Sequence, residues 1–260
     1  MTATTADAAD LERTRVRFGG VFASECLKFA SLRSSWWLMG SAIVGMLLIV
    51  AFWTVAFPDP SQANVLDAVA KGFVVCALFV LLVGATIATS DHENHAISVY
   101  LAAVPARTPL VLAKVLLSTL AGAVVGGVAA VAGLALSIAL HGGGAELGDP
   151  AVLRVLGDTT LFAAVVSVSA TALGLVFRST IATLGATIGY LYVVPVVISL
   201  VPLDAFAIIS ESMPGKAASN FFSITTDPTE LDPVAGAIAS VIWTIALVVF
   251  AAVWVKRRNA

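Results

Sequence analysis

Six apolar stretches, each close to the length a helix needs to cross a bilayer, divide this 260-residue chain. About 20 apolar residues carry a helix through ~30 Å of hydrocarbon. The stretches lie near residues 37–57, 71–90, 111–140, 158–177, 180–201 and 234–255. Lipid offers no partner to an unpaired backbone amide, so each is predicted as a helix. The expected fold class is an all-α membrane protein with six transmembrane helices. Composition agrees: 59% of residues are hydrophobic and 12% charged, against about 45–50% and 25% in soluble domains. One membrane domain over 36–260 is expected to consume nearly all of these residues, with no separate soluble domain among them.

The alternation of loops sorts the charges. Eleven of the fourteen Lys and Arg residues fall on one side of it, and only Lys71, Arg154 and Lys216 fall on the other. Ten of the sixteen carboxylates lie on that other side. Short loops rich in Lys and Arg stay cytoplasmic. The pattern predicts a multi-pass protein of the cell membrane with both termini in the cytoplasm. The net charge of −2 averages over this partition. No basic run interleaved with aromatics points to nucleic acid.

Residues 1–14 are small and polar, read as a disordered cytoplasmic tail with no cleavable signal. Over 15–35, Phe18, Phe22, Phe29, Leu32 and Trp36 recur at helical spacing, with Arg17, Lys28 and Ser31 on other faces. That predicts an amphipathic helix at the cytoplasmic interface feeding the first span. Tryptophans near span ends form an aromatic belt. Gly122 with Gly126, and Gly185 with Gly189, make two GxxxG pairs expected to pack helices closely. Pro195 and Pro202 predict a kink in the fifth span and its end. Cys26 and Cys76 read as packing residues.

Chemistry is sparse. No ionisable residue lies at the centre of a predicted span, and Lys114 and Asp158 sit at span ends, within reach of the interface. This disfavours a proton-coupled carrier. The only Gly-Lys pair, Gly215–Lys216, lacks the rest of a phosphate-binding loop, so the chain is not expected to bind nucleotide. The densest polar cluster, Asp91–His92–Glu93–Asn94–His95, brings its second histidine one residue too early for the H-E-x-x-H zinc motif. It reads as a helix cap or docking surface rather than a metal site. His141 reads as a solvated loop residue. The segment 202–233 mixes carboxylates with apolar blocks at 206–209 and 221–224, predicting short helices folded over the outer face. No nucleophile and base are spaced for catalysis, and no cofactor is expected.

The run from Ser90 and Asp91 through Ile97, Leu101 and AAVPART to Lys114 resembles the cytoplasmic loop of ABC-2-type transporter permeases, particularly actinobacterial ones. Asp91 matches the family's acidic position, Pro105 and Arg107 its Pro-x-Arg, and Lys114 its span-entry lysine. The lead SECLKFASLRSSWW resembles the family's N-terminal pattern through Glu25, Lys28, Arg33 and Ser34, and MPGKAAS at 213–219 resembles its segment before the last span. One departure is Ala96–Ile97–Ser98, where the family has Thr-Ile-Arg. The resemblance implies the membrane subunit of an ATP-driven exporter of a hydrophobic or amphipathic substrate. It would pair with a second permease copy or homologue. ATP and magnesium would sit on a separate cytoplasmic ATPase. Glu25, Lys28, Arg33, Asp91, His92, Glu93, Pro105 and Arg107 would form the coupling surface, and the segment with Pro202 and Pro214 an extracellular gate. The competing classes are a secondary carrier or channel without an ATPase, and an intramembrane enzyme.

Overall fold

A computed structural model describes residues 18–93, 107–143, 145–146, 148–218 and 232–257. Among these the chain is helical and contains no strand. Six helical segments are long and apolar enough to cross a membrane. A short helix, α1 (Phe18–Ser31), precedes the spans α2 (Arg33–Ala56), α3 (Gln62–Glu93), α4 (Arg107–His141) and α5 (Pro150–Phe177). The fifth span is broken into α6 (Thr180–Ile188), a π-helical turn at Gly189–Val193, and α7 (Val194–Ser199). A hairpin of α8 (Asp204–Ser212) and α9 (Pro214–Ala217) follows, and the last span is α10 (Pro233–Arg257). The expected helix over 15–35 is two helices, because Leu32 turns extended (ψ 115°) and Arg33 restarts the backbone as the first residue of α2.

Two spans begin far earlier than hydropathy predicts, by two turns or more. α3 starts at Gln62 rather than 71, since Asp67 and Lys71 pair along the helix at 3.6 Å and both stay partly exposed. α5 starts at Pro150 rather than 158. Asp149 caps it by accepting from the Ala151 amide at 2.7 Å, and Pro150 supplies a first-turn residue with no amide to satisfy. Asp158 therefore lies two turns into the helix instead of at its end. It is half-buried, and its Oδ2 has no hydrogen-bond partner among the described residues.

α3 and α5 form the centre of the bundle: 72% of the most apolar stretch of α5 is buried, against 17% for α10. Between apolar helices in lipid the hydrophobic effect gives little drive, so close backbone approach and hydroxyl contacts carry the packing. A Cβ on Gly84 of α3 would lie 2.2 Å from the Ser167 carbonyl oxygen of α5. On α4, a Cβ at Gly122 would lie 2.7 Å from the Ala163 carbonyl oxygen, and one at Gly126 would lie 2.3 Å from the Ala163 Cβ. Gly185 and Gly189 have nothing within 4 Å of a Cβ. The second GxxxG pair thus packs no neighbour among the described residues, and Gly189 instead opens the π-helical turn. A hydroxyl seam crosses the same three central helices. Thr171 donates to the Gly84 carbonyl at 2.9 Å and lies 2.8 Å from Ser118 Oγ, which is 2.9 Å from Ser167 Oγ. Cys76 is buried in this core, and Cys26 packs half-buried between α1 and the bundle.

Candidate functional site: the joint beneath α1

Helices α1, α3 and α4 meet at one end of the bundle. Phe22, Cys26 and Phe29 of α1 pack against the buried Val83, Ile87, Leu117 and Ala121. That contact alone would make an ordinary apolar dock. The unusual element is a charged cluster inside it. Lys114, 2% exposed, donates from Nζ to Glu25 Oε2 at 2.8 Å and to the Ile87 carbonyl at 2.7 Å. Glu25 is 3% exposed, and its other oxygen accepts from Lys28 Nζ at 2.5 Å. The ammonium of Lys114 thus bonds to α1 and α3 while belonging to α4. Ser35 of α2 borders the same cleft and is buried, with its Oγ unpartnered among the described residues. The i, i+3 spacing of Glu25 and Lys28 lets one α1 face present both signs. Lys114 reaches them because it lies two turns into α4.

Two expectations change here. Lys114 does not extend to an interface; it is spent inside a helix joint. Glu25 does not belong to an exposed surface, because its carboxylate is turned into the bundle. Lys28 is partly exposed and Arg33 is exposed, so these two remain reachable. Glu93 ends α3 and Arg107 begins α4, which brings the ends of the 91–107 segment to the same side of the bundle as α1. The side chains of Asp91, His92, Glu93 and Arg107, and all of Pro105 and His95, lie outside the described residues. At this end Thr89 Oγ1 also meets Thr180 Oγ1 at 2.7 Å, tying α3 to α6. Arg178 takes a left-handed conformation (φ 58°) to close α5, its amide returning to the Gly174 carbonyl at 2.8 Å.

The opposite end carries the α8–α9 hairpin. Pro195 has no amide to give to the Leu191 carbonyl, the partner four residues back. The Gly215 backbone presses against that carbonyl so closely that a Cβ would sit 1.6 Å from the oxygen. Ser210, fully buried, donates to the Pro195 carbonyl at 2.7 Å. Trp243 of α10 donates to Ser212 Oγ at 3.1 Å. The hairpin is therefore pinned to both the fifth and the sixth spans. Pro202 lies exposed in the link before it, and Pro214 is buried at the start of α9. Short helices were expected over this segment; the apolar block at 221–224 lies outside the described residues. His141 is the last residue of α4 rather than a solvated loop, with Nε2 3.2 Å from the Phe57 carbonyl beyond α2. Gln62 and the Ala151 amide both bond Asp149 at this end, and they hold its carboxyl below the usual range.

Six helices long and apolar enough to cross a membrane, with a charged joint where a short helix enters them, fit a polytopic membrane protein. The ABC-2 family transporter protein model matches residues 21–201, from within α1 to the end of the fifth span. The chain belongs to this family of ABC transporter permeases. A search of curated proteins finds no match.

Proposed function

We propose that the chain is the membrane-spanning subunit of an ATP-driven exporter and that a separate cytoplasmic ATPase drives it. The family match over 21–201 carries this reading. The joint beneath α1 supports it, because a force applied to α1 there meets two spans at once. In this reading the α1 end faces the cytoplasm, as the excess of Lys and Arg at that end favours. The ATPase docks on Lys28, Arg33 and the 91–107 segment, and ATP and magnesium bind to that partner alone. Two permease copies or homologues pair in the cell membrane. The hairpin of α8 and α9, with Pro202 and Pro214, forms part of the extracellular gate. The apolar spans, with scattered hydroxyls, suit a hydrophobic or amphipathic cargo.

The test is reconstitution in liposomes with the candidate ATPase from the same source. The expected outcome is co-purification with that ATPase and export of an amphipathic fluorescent dye only when ATP is supplied. Dye movement driven by an ion gradient with no ATPase present would instead establish a secondary carrier.

A further inference from the structure

We propose that Lys114 is a positioning residue that locks α1 in register with α3 and α4, so that motion imposed on α1 passes to both spans. This rests on the reading that an ATPase engages α1. Apolar contact alone holds Phe22, Cys26 and Phe29 against Val83, Ile87, Leu117 and Ala121. Such contact is non-directional and would let α1 slide or roll along the bundle. The Lys114 ammonium removes that freedom. Its bond to Glu25 Oε2 at 2.8 Å fixes one point of α1, and its bond to the Ile87 carbonyl at 2.7 Å fixes α3. Glu25 is held on its other oxygen by Lys28, whose side chain is partly exposed at the rim of the cleft.

A purely stabilising role explains this arrangement poorly. Well-packed apolar residues of similar volume commonly match or exceed a buried ion pair in stability, whereas fixing register is the best-attested use of such a pair. Leu or Met at 25 and 114 would fill the joint but leave its register unspecified. The pair makes α1 and the adjacent ends of α3 and α4 a single rigid lever. Lys28, at the accessible edge, is where an acidic group on the partner would meet the lever.

The first arm of the test needs no ATPase. Fluorescein maleimide labels the full chain in detergent, with Cys26 as the native reporter beneath α1 and buried Cys76 as the control for loss of fold. Lys114→Met and Glu25→Gln are each expected to speed Cys26 labelling about five-fold or more through local opening of the joint, with Cys76 still silent. Lys114→Arg, which keeps a cation able to donate to Glu25 and to the Ile87 carbonyl, is expected to return the rate towards that of the parent chain. Unchanged Cys26 labelling in the single variants overturns the lock. If Cys76 also labels in a single variant, Lys114→Arg decides: protection of Cys26 close to that of the parent chain supports the lock, and Cys26 as open as in Lys114→Met overturns it.

The second arm uses the complex with the ATPase, in a background with both cysteines replaced by alanine. Spin labels are placed at the exposed Leu27 and Ile208. ATP with vanadate should shift the distance between them in the parent complex. In Lys114→Met that shift should vanish while the ATPase remains bound, and Lys114→Arg should restore at least part of it. A shift that persists in Lys114→Met overturns transmission through Lys114. A parent chain that binds no ATPase fails the proposed function, and the first arm still decides the lock.

Discussion

The two ends of the bundle are held by different physics. At the α1 end a buried cation joins three helices through a carboxylate and a carbonyl. At the hairpin end, backbone meets backbone at Gly215 and Leu191, helped by hydroxyls at Ser210 and Ser212. A hydrogen-bonded ion pair can be replaced as a unit by apolar residues of similar volume. Backbone contact at this range tolerates no side chain at all. The joint can therefore be redesigned as a pair, while the hairpin depends on one glycine that has no substitute.

The largest expected effect lies at the hairpin. Gly215→Val drives side-chain atoms into the Leu191 carbonyl, and overpacking of this kind costs about 3 kcal/mol or more. Trp243, bonded to Ser212, reports it: its fluorescence should shift and its thermal transition should fall well below that of the parent chain. A Gly215→Val chain with an unchanged transition would refute the close contact. At the joint, Lys114→Met takes one of its two cations from a buried carboxylate, a loss of about 3 kcal/mol, at the lower end for a broken buried pair, since Lys28 still serves Glu25. Combining it with Glu25→Leu should recover most of that stability in denaturant or thermal unfolding. Gly215→Val should find no second-site partner of comparable power.

In the centre, Gly84→Ala places a Cβ against the Ser167 carbonyl oxygen and should cost about 2 kcal/mol. Gly185→Ala meets open space and should be neutral or gain up to about 1 kcal/mol of helix propensity. Equal thermal shifts for the two variants would contradict the packing described here. The smallest effect is at Asp149. Gln62 and the Ala151 amide lower its carboxyl pKa, so its contribution is present above the unfolded value near ~3.9 and lost as pH falls through the lower folded value. The stability difference between the parent chain and Asp149→Ala should therefore be present at neutral pH and shrink as the pH drops below about 4.

The sequence made some of this plain and hid the rest. Six spans were legible because crossing lipid demands a run of apolar residues, and no tertiary contact is needed to impose that demand. Where the helices begin was less legible: Asp67 with Lys71, and Asp149 with Pro150, extend helices through residues that hydropathy scores as loop. Gly122 and Gly126 were visible as a spaced pair, but Gly185 and Gly189 carry the same spacing and pack nothing among the described residues. Spacing marks a smooth helix face, and only the neighbouring helix decides whether that face is used. Glu25, Lys28 and Lys114 all stood out in the resemblance, yet 89 residues separate Glu25 from Lys114, and no local pattern pairs them. The sequence alone thus determined a six-span helical membrane protein, because the bilayer acts on each segment independently. The tertiary structure decided that Glu25 and Lys114 form one buried joint and that Gly215 packs against the Leu191 carbonyl, because both depend on which segments the packed bundle brings together.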